Sequence, residues 1–141
     1  LEIGFGTGEN VIYQSLKFKN EIFLACDPFL TGSIKLLRKN ISICDVGNKA
    51  QIIKTDATKK LPTLSKNSFD TVFIDPPYGK GLGQKALKIL KECQLLNKET
   101  LIILEEGQQI NSVESFSIKD CRRYGSSYAH FLTPNMLQPF T

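Results

Sequence analysis

The sequence contains no tryptophan, one histidine and one methionine, and its four cysteines are widely separated. No CxxC pair occurs, so neither the paired ligands of a structural zinc site nor the dense spacing of a disulfide framework is present. No apolar run reaches the roughly 18 residues that a membrane helix needs, and the first residues lack the pattern of a secretory signal. We therefore expect a cytoplasmic protein with reduced thiols, without a metal site and without membrane contact.

What is present is the composition of an ordinary α/β domain, with 141 residues of which 41% are hydrophobic and 23% charged. This length accommodates one domain. The formal net charge of +4 permits an anionic partner but does not by itself indicate one. Because the chain opens directly on a motif at Leu1, we expect a domain over residues 1–132 that is truncated at its amino-terminal side, followed by a tail over residues 133–141.

Short apolar runs alternate with amphipathic stretches along the chain, a pattern typical of strands alternating with helices. The helical spacing of Leu87, Leu90 and Cys93 predicts a helix over 84–96. Runs over 116–124 and 127–132, joined at Gly125 and Ser126, predict a β-hairpin. The other predicted strands end at residue 3 or cover 21–26, 51–54, 71–74 and 101–104.

This order of elements implies a parallel sheet with right-handed crossovers, and the terminal hairpin requires one antiparallel strand. The sequence therefore predicts a Rossmann-like, doubly wound, mostly parallel sheet with an antiparallel C-terminal hairpin strand, as in class I methyltransferases. Such sheets bind ligands at the carboxyl ends of their strands. Every candidate motif described below follows such an end, which indicates a single active site.

The first motif is a glycine-rich turn, EIGFGTG, at residues 2–8. Glycines at alternate positions let a bulky ligand approach the backbone. The dinucleotide fingerprint GxGxxG needs a small residue where Glu9 stands, and a carboxylate there would repel a pyrophosphate. S-adenosylmethionine, which has a cationic sulfonium and no phosphate, suits this turn better, although a purely structural turn is the alternative. The residues expected to line the cofactor pocket are Glu2, Gly4, Phe5, Gly6 and Gly8.

Two further acidic residues follow predicted strands. Asp27, with Pro28 after it, can accept hydrogen bonds from both ribose hydroxyls of an adenosine. Asp56, with Ala57 after it, can accept one from the adenine amino group. Structural alternatives stay open for both, since Asp27 also fits an Asp-Pro turn and Asp56 also fits the cap of a short helix.

The most informative motif is Asp75-Pro76-Pro77-Tyr78, which directly follows a predicted buried strand. The prolines fix the backbone and leave the Asp75 side chain and the Pro76 carbonyl as rigid acceptors. An exocyclic nucleobase amine is a poor nucleophile because its lone pair delocalises into the ring. Acceptors that hold its two protons favour a geometry in which the lone pair points at an electrophilic methyl group. Tyr78 offers a face on which an extruded base can stack, so we predict that these four residues form the catalytic corner.

The glycine-rich turn combined with DPPY resembles the amino-methyltransferases that act on adenine N6, cytosine N4 or guanine N2. Within that class, the chain from about residue 51 to 132 is similar to the RsmD-type 16S ribosomal RNA guanine-N2 methyltransferases. The matching segments are TVFIDPPYGKGL at 71–82, LIILEEG at 101–107 and RRYGSSYAHFL at 122–132. This resemblance implies S-adenosylmethionine as cofactor, a guanine of ribosomal RNA as substrate, and the small ribosomal subunit or its RNA as partner of a monomeric enzyme.

The front of the chain, LEIGFGTGEN at 1–10 and ACDPF at 25–29, resembles the tRNA guanine-N7 methyltransferases instead. Those enzymes carry an Asp-Pro-Trp type motif where DPPY stands here. Guanine-N7 methylation of tRNA is therefore one alternative function, and a cofactor-binding fragment without activity is another. A nicotinamide-dependent oxidoreductase is a third, which Glu9 disfavours.

Contacts with RNA phosphates are expected from Lys80, Arg122 and Arg123. Lys80 lies two residues after Tyr78 in a glycine-flanked loop, and the arginines lie in the predicted hairpin. Solvated surface residues are the alternative for all three. His130 alternates with apolar residues along the last strand, so we expect a structural role for it.

Overall fold

The computed structural model describes residues 1–3, 9–18, 20–26, 38–45, 47, 50–53 and 56–135. Two parts of the predicted cofactor pocket, the glycine-rich turn at 4–8 and the Asp27-Pro28 pair, lie outside these ranges. Glu2 is described through its backbone.

Within the described residues, seven strands form one sheet in the order β3-β2-β1-β4-β5-β7-β6. Strands β1 to β5 pair in parallel, whereas β7 runs antiparallel to both β5 and β6. This arrangement confirms the predicted doubly wound, mostly parallel sheet with an antiparallel hairpin strand. The strands are β1 (Glu2–Ile3), β2 (Phe23–Cys26), β3 (Ala50–Ile53), β4 (Phe69–Ile74), β5 (Leu96–Glu106), β6 (Phe116–Tyr124) and β7 (Ser127–Pro134).

Helices connect the parallel strands. Helix α1 covers Glu9–Lys17, the described part of α2 covers residues 38–43, and α3 covers Ala57–Lys60 before a 3₁₀ turn at Leu61–Thr63. Helix α4 covers Leu82–Glu92 between β4 and β5. The short α3 agrees with the prediction that any helix near Pro62 is brief, because proline lacks the amide that a helix interior requires.

Helix α4 ends earlier than the predicted helix over 84–96. The reason is Gln94, which has a φ of 55° and leaves the helical conformation. The Leu95 amide then donates to the Leu90 carbonyl at 3.0 Å, a bond that closes the helix end. Leu96 consequently begins β5, which is longer than the predicted strand over 101–104.

The core lies between α4 and the centre of the sheet. Alternate residues of β4 and β5 point toward α4, and each fully buried leucine or isoleucine stabilises the fold by about 1.5–3 kcal/mol. Because this packing extends to the last residue of β4, it holds the end of that strand in place. The core residues that show it best are Val72, Ile74, Leu87, Leu90, Ile102, Leu104 and Leu132.

The hairpin brings the end of the chain to the carboxyl edge of the sheet. Its turn contains Gly125, whose φ of 59° suits glycine. In β7, Tyr128 pairs with Glu106, the last residue of β5, so the hairpin turn lies where the parallel strands end. Strand β7 continues to Pro134, and the Asn135 amide donates to the Ser115 carbonyl at 2.9 Å, so the tail predicted from residue 133 includes the end of this strand.

None of the described helices has the length and hydropathy needed to cross a membrane. Across the same residues, no group of three or more histidine, cysteine or acidic side chains is arranged to hold a metal ion. Cys44, Cys93 and Cys121 are free thiols, each half-buried.

Candidate active site

The DPPY corner begins directly beside β1. Asp75 follows the last residue of β4, and its amide donates to the Ile3 carbonyl at 2.9 Å, which continues the parallel pairing by one residue. Ile3 is the residue before the predicted glycine-rich turn. Pro76 is buried, whereas Asp75 is accessible to solvent. The structure therefore brings the starts of the two motifs to adjacent positions at the carboxyl edge of the sheet.

Tyr78 is held from two sides. Its hydroxyl donates to Glu105 Oε1 at 2.6 Å. Its ring lies against the backbone of Gly107, where an added Cβ would stand 3.1 Å from Tyr78 Cδ2. The side chain nevertheless remains 42% exposed. Tyr78 is thus a fixed aromatic ring with accessible surface, as a platform for base stacking requires.

Glu105, near the end of β5, is a functional candidate that no sequence motif indicates. Besides the Tyr78 hydroxyl, its Oε1 accepts a hydrogen bond from Ser127 Oγ at 2.7 Å. Ser127 is a buried residue at the start of β7, and its Oγ also lies 3.2 Å from the Tyr124 carbonyl. Glu105 therefore joins the DPPY corner to the hairpin. The sequence signal available was its place in the LIILEEG segment, where nothing distinguishes it from a surface glutamate.

The electrostatics of the corner follow from this arrangement. Partial burial, with the negative charge of Glu105 adding to it, raises the pKa of Asp75 to about 6. Burial is the main cause that raises the pKa of Tyr78 to about 12, and the hydrogen bond to Glu105 is the second. At neutral pH, Asp75 is therefore ionised for the most part and can accept hydrogen bonds, while Tyr78 keeps its proton.

Asp56 caps helix α3. Its Oδ1 accepts from the Thr58 amide and the Thr58 hydroxyl, both at 2.8 Å. The hydrogen bond from the Thr58 side chain is the main cause that lowers the pKa of Asp56. This is the capping role that the sequence left open, and it occupies one carboxylate oxygen. Ala57 is the half-buried first residue of α3 and packs against the core.

Lys80 lies in the short loop between Tyr78 and α4. The two glycines beside it, Gly79 and Gly81, have φ values of 73° and 65°, so the loop turns sharply there. The Lys80 side chain is exposed. Its place in the chain puts an ammonium group next to the DPPY corner.

The two arginines lie on the edge strand β6, near the hairpin turn. Arg122 Nε donates to Asp120 Oδ2 at 2.7 Å, and Arg123 Nε donates to the Gly125 carbonyl at 3.0 Å. Each guanidinium also lies over an aromatic ring of β7, at 5.0 Å and 5.8 Å from the ring centroid. Both side chains are exposed near the carboxyl edge of the sheet.

His130 has a structural role, as expected. It is fully buried in β7, where Nε2 accepts from the Ile110 amide at 2.8 Å. Nδ1 lies 3.3 Å from the Leu104 carbonyl, so this nitrogen carries the proton. The ring ties the loop after β5 to the sheet.

A cavity of about 450 Å³ lies at the opposite end of β4. It is lined by residues of α1, β2, β4 and β5, including Asn10, Phe23, Asp70 and Leu101. None of the predicted site residues that the structure describes lines it. The cavity is therefore separate from the DPPY corner.

The acidic side chains around the described strand ends suit a cationic cofactor. Glu9 begins α1, and Asp56 and Asp75 follow the ends of β3 and β4. These carboxylates can accept hydrogen bonds from ribose hydroxyls and favour a nearby sulfonium, whereas they would repel a pyrophosphate. The residues present therefore fit S-adenosylmethionine better than a dinucleotide.

The sheet order and the antiparallel hairpin are those of the class I methyltransferase fold. The chain belongs to the family described as conserved hypothetical protein 95, the RsmD family, whose model matches residues 31–133. This match confirms the resemblance that the DPPY, LEEG and RRYG segments indicated.

Two relatives show both resemblances seen in the sequence. The tRNA (guanine-N(7)-)-methyltransferase of Wolbachia pipientis wMel is 34% identical over 105 residues, which are 72% of this chain and 47% of that protein. The ribosomal RNA small subunit methyltransferase D of Buchnera aphidicola subsp. Acyrthosiphon pisum is 33% identical over 102 residues, 72% of this chain and 50% of that protein. The chain thus spans about half the length of these relatives.

Solved structures share the fold. A conserved hypothetical protein of Streptococcus pyogenes aligns with a TM-score of 0.81 and 19% identity, over 94% of this chain and 85% of that chain. TrmK of M. capricolum, solved in complex with S-adenosyl-homocysteine, aligns with a TM-score of 0.69 and 18% identity, over 96% of this chain and 61% of that chain.

Proposed function

We propose that this chain carries out S-adenosylmethionine-dependent methyl transfer to the exocyclic N2 amine of a guanine in 16S ribosomal RNA. The observation that carries the proposal is the DPPY corner itself. The Asp75 amide pairs with Ile3 at the end of β1, and the Tyr78 ring that follows two residues after Pro76 is held by Glu105. Family membership and the relative named small subunit methyltransferase D support the same reaction class.

The corner would act on the target base by positioning. When bound, S-adenosylmethionine supplies a methyl group as its C–S bond breaks and the electron pair stays on sulfur. The Asp75 carboxylate and the Pro76 carbonyl accept hydrogen bonds from the two N2–H groups. These bonds orient the nitrogen lone pair out of the base plane. As the N–C bond forms, Asp75 takes the proton that N2 releases, a role that its raised pKa favours. Tyr78 holds the base by stacking, worth about 1–3 kcal/mol.

The remaining predicted residues complete this proposal. Lys80, Arg122 and Arg123 would contact RNA phosphates around the extruded base, since all three are exposed at the same edge of the sheet. We propose a monomer acting on the small ribosomal subunit or its RNA. The residues proposed to hold the cofactor are Glu2, Gly4, Phe5, Gly6, Gly8, Asp27, Pro28, Asp56 and Ala57.

Methylation of guanine N7 in tRNA is the second candidate, and the Wolbachia relative favours it. The two reactions place different demands on the site. N7 is a ring nitrogen whose lone pair already lies in the base plane and carries no proton, so it needs no acceptors for amine protons. The Asp75 and Pro76 oxygens have a function in N2 methylation that N7 methylation lacks, and this difference favours the ribosomal reaction.

The test combines cofactor binding with methyl transfer. The chain is titrated with S-adenosylmethionine in a calorimeter and assayed on undermodified small ribosomal subunits and on unmodified tRNA. We expect binding, and transfer to the subunits that falls by about 100-fold or more in Asp75→Ala. The matched control is Asp70→Ala, an exposed aspartate at the other end of β4. Binding without transfer would support an inert cofactor-binding fragment, and full-rate transfer by Asp75→Ala would exclude the role given to the corner.

A further inference from the structure

We propose that Glu105 is a positioning residue for methyl transfer, which holds the Tyr78 ring in its stacking orientation and places a second negative charge beside Asp75. This inference rests on the proposed function and extends it to a residue outside the DPPY motif. Glu105 would touch neither the base nor the cofactor, and would act through its two neighbours.

The geometry of Tyr78 shows why such a residue is needed. The prolines before Tyr78 restrict the backbone that leads to it but leave its side-chain dihedrals free. Gly107 supports one part of the ring, where an added Cβ would be 3.1 Å from Cδ2. The bond from the hydroxyl to Glu105 Oε1, at 2.6 Å, fixes the far end of the ring. With both contacts in place, a side chain that is 42% exposed keeps one orientation.

A carboxylate suits this task better than a neutral acceptor. A hydroxyl that donates to an ionised oxygen at 2.6 Å forms a charge-assisted bond, roughly twice as strong as a neutral one. Glu105 is itself held by Ser127 Oγ at 2.7 Å, and Ser127 is buried at the start of β7. The orientation of the Tyr78 ring is therefore set by residues of the sheet and not by the loop that follows the DPPY corner.

Glu105 also acts on Asp75 through its charge. Burial raises the pKa of Asp75 to about 6, and the negative charge of Glu105 adds to this effect because a like charge disfavours ionisation of the Asp75 carboxyl. Asp75 thereby gains proton affinity while staying ionised for the most part at neutral pH. A single glutamate would thus serve both the stacking residue and the proton acceptor.

Two substitutions separate these effects. Glu105→Gln keeps an oxygen that can accept from Tyr78 but removes the charge, so we expect kcat at neutral pH to fall by less than about tenfold, while the acidic limb of the rate profile moves to lower pH. Glu105→Ala removes both, and we expect kcat to fall by about 10- to 100-fold with the KM for S-adenosylmethionine unchanged. Tyr78→Phe breaks the same bond from the other side and should lose a similar factor. The double variant should lose no more than the worse single one.

The experiment measures kcat, KM and pH profiles on undermodified small ribosomal subunits, with Glu99→Gln, an exposed glutamate of the same strand, as control. Wild-type protein that forms no N2-methylguanine would overturn the proposed function. Active wild-type protein whose Glu105→Ala variant stays within about twofold of it, or whose Glu105→Gln variant keeps the wild-type pH profile, would overturn the role of Glu105 alone. If Glu105→Ala does not fold, Tyr78→Phe decides: an undiminished kcat in that variant overturns the inference.

Discussion

Replacing Asp75 by asparagine should stabilise the fold at neutral pH while it slows methyl transfer. The raised pKa of Asp75 means that the folded protein disfavours the ionised carboxylate. Between about pH 4 and pH 6, the folded chain holds a proton that the unfolded chain has already lost. Stability therefore falls as pH rises through this window and stays lower above it. Asparagine carries no ionisable group, so the stability of the variant does not fall in this way as pH rises.

The magnitude follows from the pKa difference. A change from the ordinary value of 3.8 to about 6 corresponds to about 3 kcal/mol, at roughly 1.4 kcal/mol per pH unit, for a group fully shielded from water. Asp75 is accessible to solvent, which screens its charge. We therefore expect Asp75→Asn to raise the free energy of unfolding by about 1 kcal/mol at neutral pH.

Urea unfolding at about pH 7 and about pH 4 measures this effect. The difference in unfolding free energy between Asp75→Asn and wild type should be present at the higher pH and largely absent at the lower one. Asp70→Asn, on the same strand, is the control and should show no such pH-dependent gain. A variant that is less stable than wild type at neutral pH would refute the charge distribution assigned to the corner.

Three further predictions concern the corner and the packing behind it. The methyl-transfer rate should fall by about tenfold per pH unit below about pH 6, because protonated Asp75 no longer accepts from the amine; a rate profile that stays flat down to pH 4.5 would contradict this. Gly83→Ala should cost about 1–3 kcal/mol in urea unfolding, since its Cβ would stand 2.6 Å from Leu104 Cδ1, whereas Gly47→Ala should cost little. His130→Ala should cost about 2–4 kcal/mol, because it leaves a cavity and an unpaired backbone amide; a loss below 1 kcal/mol would argue against the buried ring.

The sequence was sufficient for the parts of the fold that depend on local patterns. Two runs with strand-like patterning at 116–124 and 127–132, with a glycine between them, predicted β6 and β7 closely. A β-branched and aromatic run before Asp75 predicted β4 and the corner after it. In each case, residues near one another in the chain determine the structure.

The parts that were missed depend on contacts distant in sequence or on single backbone angles. The end of α4 is set by Gln94 at positive φ, which the helical spacing of leucines cannot reveal. The bond between Glu105 and Tyr78 joins residues 27 positions apart, and it forms only after β4 and β5 have paired. Asp56 caps α3 through one carboxylate oxygen, which is one of the two roles that the sequence left open, and its contact with the cofactor stays a prediction.

The central claim is that the DPPY corner orients an exocyclic amine. The most direct test is to methylate small-subunit RNA with isotope-labelled S-adenosylmethionine, digest the product to nucleosides and identify the labelled position by mass spectrometry. We predict label on guanine N2, and its loss in Asp75→Ala. Label on guanine N7 would contradict the account, because that nitrogen has no protons for Asp75 and Pro76 to hold.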